Sequence, residues 1–150
     1  MRITISYATY SGGTTMAAQY IADLLNQKGH QATLLETEST TPEQLLQNDL
    51  IILSSPSYGD EEPPEAMKHF IKEINPKVFS GKQFAIFGLG DTSFPMFCGA
   101  VDLLEKFVQE QEARLIAPSL RIDGYFSNQT ESETAMAVWA GKISDLLLQK

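Results

Sequence analysis

Short apolar runs alternate with stretches of helical spacing along the whole chain. Ile3-Thr4-Ile5-Ser6-Tyr7 reads as a buried strand. Met16, Ala17, Tyr20, Ile21, Leu24 and Leu25 then recur at helical spacing, and Lys28-Gly29 stops that helix. Gln31 to Glu36 predicts a second strand. Thr41-Pro42-Glu43-Gln44 has the form of a capping box with proline at the first helical position, opening a short helix through Leu45 and Leu46. Leu50-Ile51-Ile52-Leu53, within Asp49 to Ser54, is the continuous apolar run that a central parallel strand needs when both its faces are covered. Ala66, Met67, Phe70, Ile71 and Ile74 mark a helix from Glu65 to Ile74, followed by a strand from Gln83 to Phe87. Val101, Leu104, Phe107 and Val108 give one side of a helix from Phe97 to Glu110. Arg114 to Ile122 is extended and interrupted at Pro118. Thr130-Glu131-Ser132-Glu133 is a second capping box, opening a last helix that runs to about Leu148.

Strand and helix thus alternate five times. That order predicts an α/β fold over residues 1–150 as a single domain: a parallel sheet, helices on both faces, right-handed crossovers. Ligands of such sheets sit outside the carboxyl ends of the strands, at the topological switch point. The loops after strands one, three and four, Ala8–Thr15, Ser55–Pro64 and Gly88–Met96, are expected to share that rim.

The first of these loops carries the clearest chemistry. Gly12 and Gly13 let the backbone curl so that several N–H groups converge at the start of a helix. There the first-turn amides lack intrahelical acceptors and the macrodipole is positive. Thr9, Ser11, Thr14 and Thr15 add hydroxyl donors. The loop holds no Lys, Arg or metal ligand, which suits a terminal phosphate that stays bound rather than one being transferred. The other two loops each place an aromatic residue in polar surroundings, Tyr58 and Phe94, and two such rings flanking a cleft can sandwich a planar ring system. No nucleophile or His accompanies Asp91 in these loops. His30 and His69 belong to other elements and are expected on the solvated surface.

Composition narrows the picture. Net charge is −8 and the pI about 4.7, which argues against nucleic acid or an anionic membrane as partner. No apolar run approaches the ~20 residues of a transmembrane helix, and no signal peptide is evident. A single cysteine, Cys98, excludes an intrachain disulfide and fits a reducing cytoplasm, the expected location. It is read as a small buried packing residue rather than a redox group.

Four motifs in order resemble the flavodoxins of the short-chain type, and the resemblance covers nearly the whole chain. They are Thr9-Tyr10-Ser11-Gly12-Gly13-Thr14, Ser57-Tyr58-Gly59-Asp60-Glu61, Gly88-Leu89-Gly90-Asp91 through Phe97-Cys98-Gly99-Ala100-Val101-Asp102, and Leu120-Arg121-Ile122-Asp123-Gly124. The resemblance implies a flavodoxin-like three-layer sandwich with a five-stranded parallel sheet, binding FMN without a covalent link. Flavodoxins are themselves a known example of FMN at such a switch point, so that placement is taken from the family. Residue by residue, Thr9, Tyr10, Ser11, Gly12, Gly13 and Thr14 wrap the FMN phosphate. Tyr58 covers one flavin face and Phe94 the other. The Gly59 carbonyl meets flavin N5 on reduction, and Glu61 reaches N3. Backbone around Asp91, Met96 and Cys98 binds the pyrimidine edge. Ser55, Pro56, Ser57, Asp60, Gly88, Leu89, Gly90 and Phe97 complete the expected binding set. Many members have Asn where this chain has Gly13, which leaves only the amide, and the outer stacking residue is often Tyr rather than Phe94.

The implied function is low-potential one-electron transfer between redox proteins, by a monomeric carrier whose chemistry is its cofactor's. The rim loops contain Asp60, Glu61, Glu62 and Asp91 but no Lys or Arg, so partners are expected to dock through basic surfaces. The alternative is a small FMN-dependent quinone or nitro reductase using a nicotinamide donor. It needs a second pocket over the flavin, for which 150 residues with compact loops leave little chain. A phosphorylated receiver domain of the same architecture would need paired acids after strand one, where the chain has Ala8-Thr9, and an Asp after strand three, where it has Ser54-Ser55.

Overall fold

The computed structural model describes residues 1–9, 12–57, 63–91 and 98–149. Its elements are β1 (Arg2–Tyr7), α1 (Gly13–Gln27), β2 (Gln31–Glu36), a 3₁₀ turn (Thr37–Ser39), α2 (Pro42–Leu46), β3 (Leu50–Pro56), α3 (Glu65–Glu73), β4 (Gln83–Gly90), α4 (Gly99–Glu110), β5 (Arg114–Leu115), β6 (Leu120–Asp123) and α5 (Gln129–Leu148). Every strand pairing is parallel, and the sheet runs β2-β1-β3-β4-β5, with β6 also on β4.

Alternation along the central strands explains the two layers of helices. Leu50, Ile52, Ala85 and Phe87 face one way and pack with α1 and α5, through Ala17, Ile21, Met136, Ile143 and their neighbours. Ile51, Leu53, Phe84 and Ile86 face the other way, against Met67 and Phe70 of α3 and Val101, Leu104 and Phe107 of α4. Leu50 to Leu53 and Phe84 to Phe87 are wholly buried, which is why they read as unbroken apolar runs.

The sheet has six strands where five were expected. The fifth position is shared by two short ones: β5 pairs with Gln83 and Phe84 at the start of β4, and β6 with Phe87 to Gly90 at its end. Pro118 lies in the gap, where a residue without an N–H cannot continue a ladder. Two strands outlast their apolar runs. β3 continues to Pro56 and β4 to Gly90, because Ser55 pairs with Gly88, Pro56 with Leu89, and Gly90 with Asp123 of β6. These residues, expected in loops, are strand ends.

The Thr41 capping box forms in both directions, with Gln44 N donating to Thr41 Oγ1 at 3.3 Å and Thr41 N to Gln44 Oε1 at 2.8 Å. The one expected at Thr130 does not form. α5 already begins at Gln129, with no side-chain cap at Asn128. Gly124, at φ +55°, turns the chain so that Ser127 N and Asn128 N both donate to its carbonyl, which starts the helical path earlier. The helix expected from Phe97 begins at Gly99, after Cys98 in the left-handed region at φ 56°.

His30 is a second correction. It is buried, and its Nε2 lies 2.8 Å from Ser144 Oγ of α5. Burial, the N-terminal charge and Lys28 all push its pKa down, so it sits as a neutral strut between α5 and the turn after α1. His69 is exposed as expected, with its Nε2 4.0 Å from Glu73.

Candidate functional site

β1 and β3 stay paired to Tyr7 and Ser54, and the helices that follow them, α1 and α3, leave on opposite faces of the sheet. This is the switch point of the sheet. A cleft of about 230 Å³ opens there. It is lined by Thr9, Gly13 and Thr14 from the first loop and α1, Pro56 and Ser57 from the end of β3, and Leu89, Gly90 and Asp91 from the end of β4. The turn after β6, Gly124 to Ser127, lines a further side.

The polar end of the cleft is the N-terminus of α1. Gly12 is in the left-handed region at φ +87°, and its N–H donates to Thr9 Oγ1 at 2.9 Å. The helix has no side-chain cap and no acidic residue in its first turn, so the positive end of its dipole is not offset locally. Thr14 is 1% exposed, yet its Oγ1 finds no hydrogen-bond partner among the described residues. A buried hydroxyl without a partner carries its desolvation cost uncompensated. Here it is oriented by a helix start that attracts anions. An oxyanion bound at this helix start would supply the missing acceptor.

The far end is tied together by backbone and side-chain hydrogen bonds. Ser57 N donates to the Leu89 carbonyl at 2.8 Å, and Ser57 Oγ accepts the N–H of Ala100 at 2.8 Å, which caps α4 from another loop. Gly124 N donates to the Gly90 carbonyl at 2.8 Å. Arg121 on β6 donates through Nη1 to the Cys98 carbonyl at 3.1 Å and through Nη2 to Asp102 at 2.6 Å. That clamp fixes the point where the chain returns from the fourth-strand loop into α4. Gly90 is required by space, since a Cβ there would lie 2.9 Å from both N and Sγ of Cys98. Cys98 itself is 1% exposed, and burial pushes its thiol up to about 12, so it is an inert packing group.

Of the residues expected at the site, Thr9, Gly13, Thr14, Pro56, Ser57, Leu89, Gly90 and Asp91 come together on the cleft, with Gly12 shaping it from behind. Ser55, Gly88 and Cys98 lie beneath its floor rather than on its wall: Ser55 and Gly88 are fully packed strand residues paired with each other. Tyr10, Ser11, Tyr58, Gly59, Asp60, Glu61, Phe94, Met96 and Phe97 lie outside the described residues. Sequence reasoning missed the fourth wall, Gly124, Tyr125, Phe126 and Ser127. The signal was available, because this turn follows a strand at the same end of the sheet as the other three loops.

With this geometry in place, comparison with known proteins shows the family. The flavodoxin family model matches residues 5–139. The chain is 32% identical over 133 residues to "Probable flavodoxin 2" of Bacillus subtilis, covering 88% of each chain. It superposes on oxidised Flavodoxin 2 from Bacillus cereus with a TM-score of 0.86 at 32% identity, over the full length of both chains. Its fold also matches that of a Fusobacterium nucleatum flavodoxin bound to flavin mononucleotide, with a TM-score of 0.81 at 21% identity over 96% of this chain and 97% of that one. The chain belongs to the flavodoxin family.

Proposed function

We propose that this chain binds FMN in the cleft at the β1/β3 switch point and carries single electrons between redox proteins. The observation that carries the proposal is the buried, unpartnered Thr14 hydroxyl at the N-terminus of α1. A buried hydroxyl donor at the positive end of a helix dipole has the chemistry that the FMN phosphate requires. Thr14 Oγ1 and the first-turn amides of α1 would hold that phosphate, and Thr9, which anchors Gly12, would keep the amides converging. Leu89 and Pro56 would exclude water from the sugar-alcohol chain, and the backbone ends of β3 and β4 would orient the ring. Bound there, FMN would supply the redox chemistry, the uptake and release of one electron at a time.

Among the described residues, Asp91 is the one charged side chain on the cleft. Cys98 is buried and held protonated, and Asp91 is an exposed carboxylate at the rim. This lining suits an electron carrier better than a reductase with its own second substrate. The chain's net charge of −8 suits partners with basic docking surfaces, and its single buried thiol suits the reducing cytoplasm.

The purified, FMN-loaded protein should leave NADPH unoxidised on its own. Supplied with a basic flavoprotein reductase, it should pass electrons on to a basic haem protein, at rates that fall as salt screens the approach. NADPH oxidation by the protein alone would assign it to the reductase class instead.

A further inference from the structure

Gly13 is not glycine for the sake of its backbone. It is the first residue of α1 and stays outside the left-handed region that Gly12 occupies. Its missing side chain makes room for another one. A Cβ on Gly13 would lie 3.1 Å from Cε2 and 3.3 Å from Cζ of Phe126, and 3.4 Å from Cδ2 of Leu89. Phe126 belongs to the turn after β6, more than a hundred residues along the chain. That turn is firmly held: Gly124 N on the Gly90 carbonyl, Ser127 N and Asn128 N on the Gly124 carbonyl, and Ser127 Oγ on the same oxygen at 3.1 Å. The buried Tyr125 ring packs edge-on against Phe126, with centroids 5.5 Å apart. Phe126 is nonetheless 60% exposed, on the wall of the cleft. The hydrogen-bonded turn thus holds an open phenyl ring over Gly13 at the start of α1, on the same cleft as Thr14.

We propose that Phe126 is a cofactor-contact residue. It lies over the phosphate-bearing end of FMN, excludes water from the phosphate's hydrogen bonds, and works as a pair with Gly13. The inference rests on the FMN reading above. It adds a fourth wall to the cleft and assigns part of the selectivity for a phosphorylated ligand to an apolar ring. Shielding the α1 amides and Thr14 Oγ1 from solvent lowers the local dielectric and strengthens their bonds to an anion. A ligand without the phosphate gains little from the ring.

The test is a binding cycle on the apoprotein of wild type, Phe126→Ala, Gly13→Ala and the double variant, each titrated with FMN and with riboflavin. Phe126→Ala should weaken FMN about tenfold, the scale for covering most of a phenyl ring, while riboflavin affinity stays within about twofold. Gly13→Ala should weaken FMN in the wild-type background, where the new methyl displaces the ring, and have little effect once Phe126 is gone. Because Phe126 is largely exposed, its removal should leave the melting temperature of the apoprotein unchanged, so lost affinity is not lost folding. Equal losses for FMN and riboflavin would overturn the inference, making Phe126 a mere support of the turn. So would additive effects of the two substitutions. A wild-type apoprotein that binds no FMN would overturn the FMN reading as well, whereas FMN binding insensitive to Phe126→Ala would overturn this inference alone.

Discussion

Apoprotein should bind FMN more tightly than riboflavin by roughly 10²–10⁴-fold, the value of two charge-assisted hydrogen bonds at about 1.5–3 kcal/mol each. The groups responsible are the first-turn amides of α1 and Thr14 Oγ1, which meet at a helix start with no acidic residue and no side-chain cap. Thr14→Val isolates the hydroxyl, since the two side chains have nearly the same shape. Without ligand, the wild-type hydroxyl is buried and unpaired, at a cost of about 1–3 kcal/mol, so the valine variant should be the more stable apoprotein. With FMN the order reverses. The variant should lose about tenfold or more in FMN affinity and nothing toward riboflavin. Thr14→Ser, which keeps the donor, should retain most of the affinity. Opposite signs for stability and binding are characteristic of a polar group kept for a ligand. If Thr14→Val destabilises the apoprotein and binds FMN as well as wild type does, the hydroxyl has another purpose.

Gly88→Ala should destabilise the fold by about 1–3 kcal/mol, the usual cost of forcing an extra methyl into a packed core. A Cβ at Gly88 would lie 2.4 Å from Cγ2 of Val101 and 3.1 Å from the Ser55 carbonyl. Neither yields easily. Val101 is fully buried and β-branched on a helix, which restricts it to one favoured rotamer, and the Ser55 carbonyl is strand backbone. For a chain of this length each kcal/mol corresponds to about 2–4 °C in Tm. Val101→Ala alone should also destabilise, by opening a cavity. Combined with Gly88→Ala it should cost clearly less than the sum, because each change vacates or fills the same space. Calorimetry of the four proteins measures the coupling, and additive losses would refute the close packing of β4 on α4. The contact matters to function because the next residues of β4, Leu89 and Gly90, line the cleft.

Much of the sheet was readable in the sequence because its physics is local. Leu50 to Leu53 and Phe84 to Phe87 are covered on both faces, so burial leaves a continuous apolar signature. The Thr41 cap and the Gly29 stop, at φ +93°, are decided within a few residues. The features that escaped depend on distant partners. His30 reads as a surface residue until Ser144, 114 positions away, meets it. The strand ends at Ser55 to Pro56 and Gly88 to Gly90 exist because of pairing with distant strands, β3 with β4 and β4 with β6, not because of an apolar run. Thr130 carries a capping signature, but the turn at Gly124 starts α5 before it can act. In the cleft, the α1 start was legible because Thr9, Gly12, Gly13 and Thr14 fall in one short stretch of sequence between a strand and a helix. Phe126 was not, because its role follows from the absent side chain of Gly13 more than a hundred residues earlier.

Stepwise electrochemical reduction of the FMN-loaded protein, followed by its visible spectrum, tests the electron-carrier function most directly. The protein should hold one FMN per chain and take up its two electrons in separate one-electron steps, the second at a clearly lower potential than the first. Acids at the rim such as Asp91, on a chain of net charge −8 with no positive residue in the three rim loops, oppose the second negative charge. A single concerted two-electron step, or a chain that retains no flavin, would contradict one-electron transfer by this protein.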